Sequence, residues 1–277
     1  MSSLQIVRLM NREDRKVAVA VGKQLPSIAR AVDAIVHSLQ SGGRLIYVGA
    51  GSSGRLGILD AAECAPTFGT PRNMVQGLIA GGRRAFATAV EGAEDATSNA
   101  RRDLSARRVG KNDVVIGISA SGTTPYVLAA LKYARKRGAT TVGVTANRNT
   151  PLARAAKIVI APNVGPEILT GSTRLKAGTS QKMVLNMLST AAMVRLGHAY
   201  ENLMIDAMLT NRKVSGRALR ILAEASGESV SAAEHTLRLA GHNMRVALVM
   251  LKGGISATEA KRKLRQAKGS LRQALED

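Results

Sequence analysis

The stretch that decides the fold reads RLIYVGAGSSGRLGILDAAE and covers residues 44–63. After Arg44, residues 45–48 are apolar and β-prone, which predicts a buried strand over residues 44–48. Three glycines then form a tight turn over residues 49–54, which we call the first hydroxyl loop, and a helical pattern follows. Such a turn leaves the first helical N–H groups unpaired, and these groups bind anions. Because Gly51 is followed by Ser52 and Ser53, phosphate is the ligand that this loop fits best.

The glycine spacing of the first hydroxyl loop, G-x-G-x-x-G, also matches the dinucleotide-binding fingerprint. A nicotinamide dinucleotide needs an acidic residue at the end of the next strand to hold its ribose. The next predicted strand, residues 73–80, is followed by Gly-Gly-Arg-Arg and no acid. Paired serines also suit a compact phosphomonoester better than a pyrophosphate. We therefore favour a phosphomonoester site, and a glycine turn without a ligand remains the alternative.

The composition is that of a cytoplasmic protein. The chain has 277 residues, of which 45% are hydrophobic, enough for one large domain or a medium domain with a small one. The single cysteine, Cys64, excludes an internal disulfide and indicates a reducing compartment. Neither a signal peptide nor an apolar run of membrane-spanning length is found in the sequence. We therefore expect a cytoplasmic location and no membrane partner.

The net charge of +21 raises the question of nucleic-acid binding. The basic residues, however, are scattered over predicted helix surfaces and connections. Aromatic residues make up only 2% of the chain, so few side chains can stack on bases, and the sequence contains no nucleic-acid motif. We expect an anionic small-molecule substrate and no specific nucleic-acid partner.

Strands and helices alternate through most of the chain. Helical periodicity is found over residues 14–39, 84–106, 125–137 and 178–196. Alternation of this kind predicts an α/β fold with a three-layer parallel sheet. The predicted strands cover residues 44–48, 74–80, 113–118, 140–145 and 157–161.

A second loop, residues 119–124, has the same chemistry as the first. It follows a predicted strand, contains Ser119, Ser121 and Thr124, and precedes a helix that begins at Pro125. Ligands of open α/β sheets bind at the carboxyl ends of strands, near a switch in strand order. We therefore expect this second hydroxyl loop and the first one to hold one phosphate from two sides.

Strands are no longer predicted towards the C-terminus. A helix is predicted past Gly197, with apolar residues at helical spacing over 203–209, and residues 216–277 have the pattern of several short helices. We predict two domains. Residues 1–210 form an N-terminal helix with the α/β domain, and residues 211–277 form a small all-helical domain.

Glu63 and one acidic run are candidates for proton transfer. Glu63 ends the helix that begins at the first hydroxyl loop, and its sequence neighbours are apolar. The acidic run is EGAED, residues 91–95, and the sequence pattern does not choose among its carboxylates. Two carboxylates in different environments can divide the acid and base roles. Solvent-facing helix residues at both positions remain the alternative.

The segment 165–182 is long, polar and glycine-rich, which is typical of a binding loop. Its Arg174 and Lys176 are suited to pair with a substrate carboxylate or phosphate. The four histidines of the chain have no ligand partner at metal-binding spacing in the sequence, so we predict no metal site.

Three long motifs follow one another along the chain: GAGSSGRLGILDAAEC at residues 49–64, VEGAED at 90–95 and TGSTRLKAGT at 170–179. In this order they resemble the N-acetylmuramic acid 6-phosphate etherase family, whose sugar-isomerase (SIS) domain is related to that of the glucokinase regulatory protein. The resemblance extends over nearly the whole chain, including the helical tail.

The resemblance implies a flavodoxin-like SIS domain that binds a sugar phosphate, followed by a UBA-like helical domain. The implied reaction, part of peptidoglycan recycling, splits the lactyl ether of the 6-phosphorylated amino sugar to N-acetylglucosamine 6-phosphate and D-lactate. Glu63 matches the family's proton donor, and Glu94 matches the second catalytic glutamate, the C2 base. The serines of both hydroxyl loops match phosphate-binding positions. A homodimer whose sites use both subunits is implied, with no metal and no organic cofactor.

Three features depart from the family pattern. Relatives usually begin about 20 residues earlier, relatives commonly carry arginine at the position of Thr123, and this chain is unusually basic. Loss of the charge at Thr123 is expected to weaken substrate binding unless Arg83 or Arg84 compensates.

Two other functions on the same scaffold remain open. A non-catalytic SIS module would sense a sugar phosphate and control a partner protein, but it would not need the pair Glu63 and Glu94. An aldose–ketose isomerase would also use a C2 base, but it would release no lactate.

Overall fold

The structure is a computed structural model that describes residues 1–209, 212–267 and 270–276. It divides into two units, the first formed by residues 1–62 and 72–192, the second by residues 63–71 and 193–277. The predicted domain boundary between residues 210 and 211 lies outside the described residues.

Five parallel strands form one sheet: β1 (Leu45–Gly49), β2 (Val75–Ile79), β3 (Val114–Ile118), β4 (Thr140–Val144) and β5 (Ile158–Ile160). The order across the sheet is β2-β1-β3-β4-β5, so the strand order changes direction between β1 and β3. All residues of β1 and β3 are buried, as is typical of central parallel strands that are covered on both faces. The predicted parallel α/β fold is confirmed.

Helices cover both faces of the sheet, as the alternation of strands and helices predicts. The helices that begin in the first unit are α1 (Ser3–Gly22), α2 (Leu25–Gln40), α3 (Gly51–Phe68), α4 (Arg84–Ala87), α5 (Thr97–Ala106), α6 (Pro125–Lys136), α7 (Pro151–Ala155) and α8 (Lys176–Arg195), with a 3-10 turn at Ala93–Asp95. On one face, Val127 and Leu131 of α6 pack so closely on Gly117 that a Cβ there would lie 2.8 Å from Val127. On the other, Gly57 of α3 packs on Tyr47.

Two predicted helices are divided in the structure. The helix predicted over residues 14–39 begins earlier, at Ser3, and is interrupted at Lys23 and Gln24. The helix predicted over residues 84–106 consists of α4, the 3-10 turn and α5. Gly92, with a φ of +70°, begins the 3-10 turn, because glycine adopts this left-handed conformation at little cost.

The described part of the second unit is helical. Beyond the end of α8 it contains α9 (Arg212–Ser226), α10 (Val230–Leu239), α11 (Met244–Gly253), α12 (Ala257–Gln266) and α13 (Leu271–Glu276). Its core includes Leu222, Leu237 and Leu248. Within the described ranges, no helix is both long and apolar enough to cross a membrane.

The helix predicted past Gly197 is wrong. Residues 198–209 form turns instead, with a bridge between Tyr200 and Leu203. The segment is held by tertiary contacts: Ile205 is fully buried, and Asp206 accepts hydrogen bonds from His198 (2.8 Å) and Arg245 (2.9 Å).

A partly buried ion pair holds α1 against the start of α8. The ammonium group of Lys176 lies 2.8 Å from Glu13, and the Lys176 side chain is only 2% exposed. Glu167 caps the same helix end, because its carboxylate accepts hydrogen bonds from the backbone N–H groups of Lys176 and Ala177. The basic residue Lys176 is therefore anchored within the fold.

The turn from β1 into α3 depends on close backbone contact. A Cβ on Gly49 would lie 2.6 Å from the backbone nitrogen of Gly54, nearer than Cβ atoms are found to approach. Gly51 has a φ of +51°, in the left-handed region. Side chains at these positions would change the path of the first hydroxyl loop.

Replacement of Glu13 by Gln is expected to destabilise the protein in a pH-dependent way. Hydrogen bonds from Lys16 and Lys176 lower the pKa of Glu13 from 4.5 to about 2. A lowered native pKa stabilises the fold above the unfolded pKa, and this contribution is lost as the pH falls towards the native value. In urea denaturation, the free energy of unfolding should therefore be lower for Glu13→Gln than for wild type. This difference should be largest above pH 4.5 and should shrink as the pH falls towards 2. The exposed neighbour variant Asp14→Asn should lack this pattern, and a pH-independent difference for Glu13→Gln would contradict it.

Replacement of Gly49 by Ala is expected to lower the free energy of unfolding by about 2 kcal/mol, because the new methyl group must displace backbone. The same change should weaken binding of phosphate esters, since it moves the first hydroxyl loop. Urea denaturation and ligand titration measure the two effects. Gly22→Ala is the control, because a Cβ at Gly22 meets nothing within 4 Å. Equal stability of both variants would show that the loop tolerates the displacement.

Candidate functional site

The two serines of the first hydroxyl loop point to different surroundings. Both lie in the first turn of α3. Ser52 lines an open cavity. Ser53 is buried and donates a hydrogen bond of 2.9 Å to Oε1 of Gln181 on α8. The structure therefore gives Ser52 direct access to a ligand and connects Ser53 to a second helix.

The hydroxyl groups of the second hydroxyl loop form hydrogen bonds within the loop. The hydroxyl oxygens of Ser119 and Thr124 are 2.8 Å apart, and those of Ser121 and Thr123 are also 2.8 Å apart. The Ser119 hydroxyl also accepts a hydrogen bond from the N–H of Gly122. Thr124 is the N-cap residue of α6, so the first N–H groups of that helix lack intrahelical acceptors.

A further loop, which the sequence patterns did not indicate, supports the second hydroxyl loop. Thr145 and Asn147, which follow β4, both donate hydrogen bonds of 3.1 Å to the carbonyl oxygen of Ala120. A Cβ on Gly122 would lie 2.5 Å from the hydroxyl of Thr150. The hydroxyl-rich composition after β4 is the signal that could have indicated this role.

The two hydroxyl loops begin side by side. Gly49 at the end of β1 is the register partner of Ile118 at the end of β3, and neighbouring strands lie about 4.8 Å apart. This edge is also where the strand order changes direction. The structure therefore brings the predicted phosphate-binding residues to one edge of the sheet: Gly51, Ser52, Ser53, Ser119, Ser121 and Thr124.

A cavity of about 470 Å³ lies beside Ser52. Three cationic side chains line it, and the half-exposed Leu59 and Phe86 lie in its apolar wall. The cations come from α3, from the segment before α8, and from α8 itself: Arg55, Arg174 and Lys182. A cavity of this charge fits a ligand that carries a second anionic group besides a phosphate.

The structure separates the two cations that the sequence pattern paired. Arg174 lines the cavity, as expected for a binding residue. Lys176 does not line it, since its ammonium group is buried against Glu13. Lys182 lines the cavity instead. It lies four residues after Gly178, which also lines the cavity, so the two residues share one face of α8. This helical spacing is the signal that could have identified Lys182.

Glu63 lies on α3, eleven residues after Ser52. The spacing of Ser52, Leu56, Leu59 and Glu63 places the four side chains along one face of the helix. Glu63 is exposed, so the apolar residues beside it in sequence do not bury it. At about 1.5 Å per residue, its Cα lies about 16 Å along the helix axis from that of Ser52.

Glu94 lies in the 3-10 turn and is also exposed. The turn packs on α6, the helix that follows the second hydroxyl loop, and Ala93 contributes to that contact. Glu94 therefore belongs to the same layer of the first unit as the second hydroxyl loop. Among the described residues, no group of three His, Cys, Asp or Glu side chains is arranged to hold a metal ion.

A buried carboxylate that the sequence patterns did not single out fixes the direction of α3. Asp60 accepts hydrogen bonds from the Tyr47 hydroxyl (2.8 Å), the Asn186 amide (2.7 Å) and the Ser189 hydroxyl (3.2 Å). These donors come from β1 and α8, so α3 is held by both elements. Asp60 lies three residues before Glu63 in the sequence of α3.

Comparisons with known proteins agree with this arrangement. The model of the glucokinase regulatory protein N-terminal SIS domain matches residues 27–135. A phosphoheptose isomerase from Francisella tularensis has a TM-score of 0.56 at 18% identity, and the match covers 70% of this chain and 100% of that one. The NanR protein of Vibrio vulnificus, complexed with ManNAc-6P, has a TM-score of 0.50 at 19% identity, with 69% and 62% covered. These two similarities show a shared fold.

Sequence comparison finds a relative of much higher identity than these two structures. The N-acetylmuramic acid 6-phosphate etherase of Serratia proteamaculans (strain 568) is 54% identical over 275 residues, which are 99% of this chain and 93% of that protein. This agreement over nearly the whole length confirms the resemblance inferred from the three motifs, and the chain belongs to the N-acetylmuramic acid 6-phosphate etherase family of enzymes.

Proposed function

We propose that this protein cleaves the D-lactyl ether of N-acetylmuramic acid 6-phosphate, giving N-acetylglucosamine 6-phosphate and D-lactate. Family membership supports the activity. The observation that carries the substrate assignment is the pair of hydroxyl loops at one sheet edge beside a cavity with three cations. A phosphate and a lactyl carboxylate on one sugar match these two features.

The phosphate binds at the two hydroxyl loops. The N-termini of α3 and α6 offer unpaired N–H groups and the positive ends of two helix dipoles. Ser52, Ser119, Ser121 and Thr124 add hydroxyl groups. The Vibrio vulnificus protein complexed with ManNAc-6P shares this fold, which supports a sugar phosphate as the ligand.

The lactyl carboxylate binds in the cavity beside Ser52, where Arg55, Arg174 and Lys182 supply positive charge. Nε of Arg55 donates a hydrogen bond of 2.9 Å to the carbonyl oxygen of Phe86, which leaves its terminal nitrogens directed to the ligand in our proposal. Lys176 is not part of this proposal, because Glu13 engages it.

The reaction proceeds by elimination followed by addition of water. In the open-chain sugar, the aldehyde at C1 acidifies the proton on C2, and Glu94 removes it as general base. The C3–O bond breaks, and Glu63 as general acid gives a proton to the departing lactyl oxygen. Water then adds to the C2–C3 double bond, with hydroxyl at C3 and a proton at C2. Each glutamate returns to its starting protonation state, and one water is consumed per ether cleaved.

The position of Glu63 supports a homodimer with shared sites. The rise of about 16 Å along α3 exceeds the separation between the phosphate and the C3 oxygen of one hexose. We therefore propose that a substrate held at the first hydroxyl loop meets Glu63 of a second copy. We assign Glu94 to the same copy, because its 3-10 turn packs on α6, the helix that follows the second hydroxyl loop. Exposed apolar side chains on α1 would be covered in such a dimer: Leu4, Ile6 and Val7.

The cellular role follows from the chemistry. Muramic acid derivatives come from peptidoglycan, so we place the reaction in peptidoglycan recycling, in the cytoplasm. The one cysteine of the sequence, Cys64, is buried and has no second cysteine for an internal disulfide, which suits a reducing compartment. We propose no nucleic-acid partner, despite the net charge of +21.

Replacement of either Glu63 or Glu94 by Gln should lower kcat by at least about 100-fold, because each variant lacks one proton-transfer group. Release of D-lactate from N-acetylmuramic acid 6-phosphate measures turnover, and titration with N-acetylglucosamine 6-phosphate should show that binding remains. The matched control is Glu91→Gln, a change at an exposed carboxylate in the same acidic run. Binding of the sugar phosphate without lactate release by the wild type would favour the sensor function, and an isomerised product would favour the isomerase.

Mixing the inactive Glu63→Gln and Glu94→Gln proteins should restore activity. If each site takes its two glutamates from different copies, one of the two sites in every heterodimer has both glutamates. Equal mixing makes about half of the dimers heterodimers, so the expected rate is about a quarter of the wild-type rate. The proteins are unfolded and refolded together, and lactate release is measured against each variant refolded alone. Absence of recovery, with dimers present by light scattering, would place both glutamates in one chain.

A further inference from the structure

The hydrogen bond between Ser53 and Gln181 has a direction that conflicts with phosphate binding. Oε1 of an amide only accepts, so the Ser53 hydroxyl donates its one hydrogen to Gln181. A phosphate oxygen is also an acceptor. In this arrangement Ser53 has no hydrogen left to donate to a phosphate at the first hydroxyl loop.

The other end of the same amide is unsatisfied. Gln181 is 2% exposed, and its Nε2 has no hydrogen-bond partner among the described residues. A buried amide nitrogen without an acceptor is unfavourable, because it has lost water without replacement. A half-turn of the amide about its last side-chain bond exchanges Nε2 and Oε1 without moving α8, since the two ends have nearly the same size.

The half-turn resolves the conflict. Nε2 then donates to the Ser53 hydroxyl oxygen, and the Ser53 hydrogen is free to turn towards a phosphate. The loop backbone is closely packed, since a Cβ on Gly49 would lie 2.6 Å from the backbone nitrogen of Gly54. The amide is therefore the part of this contact that can change at the smallest structural cost.

We propose that Gln181 is a positioning residue that controls whether Ser53 donates to the substrate phosphate. Without ligand, Gln181 accepts the Ser53 hydrogen. With ligand, its amide is turned, and it donates to Ser53 while Ser53 donates to the phosphate. This inference rests on the proposed phosphate site at the first hydroxyl loop. It adds a residue of α8 that acts on the phosphate through Ser53.

The test compares two replacements of Gln181 that have similar size and opposite hydrogen-bonding capacity. Gln181→Glu can only accept when ionised, so it keeps the Ser53 hydrogen away from the phosphate. Gln181→Met cannot donate and is only a weak acceptor, so it leaves that hydrogen essentially free. The readout is the ratio of the dissociation constants for N-acetylglucosamine and N-acetylglucosamine 6-phosphate, which isolates the contribution of the phosphate.

We expect this ratio to fall by about 30-fold in Gln181→Glu, because one hydrogen bond to a charged group is lost. In Gln181→Met the ratio should fall by less than about threefold, because the Ser53 hydrogen remains available. In turnover, Gln181→Glu should raise KM and change kcat little. The KM defect should diminish as the pH is lowered, because a protonated Glu can donate to Ser53. Gln76→Glu, which places a glutamate at another buried position of the same unit, is the control and should leave the ratio unchanged.

The double variants show whether the effect passes through Ser53. Ser53→Ala removes the donor, so adding Gln181→Met to it should change the ratio no further, and the added effect of Gln181→Glu should be smaller than in wild type. The proposal would be overturned if Gln181→Glu and Gln181→Met lowered the ratio equally. It would also be overturned if the effect of Gln181→Glu on the ratio were as large in the Ser53→Ala protein as in wild type. A wild-type protein that binds both sugars equally would overturn the phosphate site itself, and with it this inference. Circular dichroism on each variant identifies any that fail to fold.

Discussion

The hydrogen bonds to the buried carboxylate of Asp60 are the interaction on which the site depends. They hold α3 to β1 through Tyr47 and to α8 through Asn186 and Ser189. The first hydroxyl loop begins α3, one wall of the cation-lined cavity lies along it, and Glu63 lies near its end. A rotation of α3 would therefore displace together the residues proposed to bind the phosphate, to bind the carboxylate and, in the site of a second copy, to donate a proton. A carboxylate is suited to this task because it accepts several hydrogen bonds at once, in fixed directions.

The sequence predicted those parts of the site that are formed by residues close together in the chain. A glycine turn followed by serines requires no distant residue to become an anion-binding helix start, so the sequence predicted both hydroxyl loops and their place at one sheet edge. The parallel order of the strands followed in the same way from the alternation of strands and helices. The local pattern made Glu63 and the acidic run 91–95 candidates, whereas the family resemblance singled out Glu94 and divided the acid and base roles, and these roles remain proposals.

Residues whose partners are distant in sequence were not predictable. Lys176 has the sequence context of a binding-loop cation, but its partner Glu13 lies 163 positions earlier. Gln181 meets Ser53 across 128 positions, and neither residue carries a local sign of the other. The segment 198–209 has helical apolar spacing, but its residues are held by side chains of the second unit, so tertiary contacts outweigh the local pattern.

The second hydroxyl loop has one further consequence, which concerns Thr123. The Thr123 hydroxyl lies 2.8 Å from the Ser121 hydroxyl, so position 123 gives the loop a neutral hydrogen bond and no charge. The hydrogen bonds described for this loop are made by neutral groups, whereas the cations that line the cavity beside Ser52 come from α3, α8 and the segment before α8. In our proposal the substrate therefore has its phosphate at neutral hydroxyl groups and its carboxylate at a cationic cavity wall. Such an asymmetric distribution of charge favours one orientation of a two-anion ligand over its reverse.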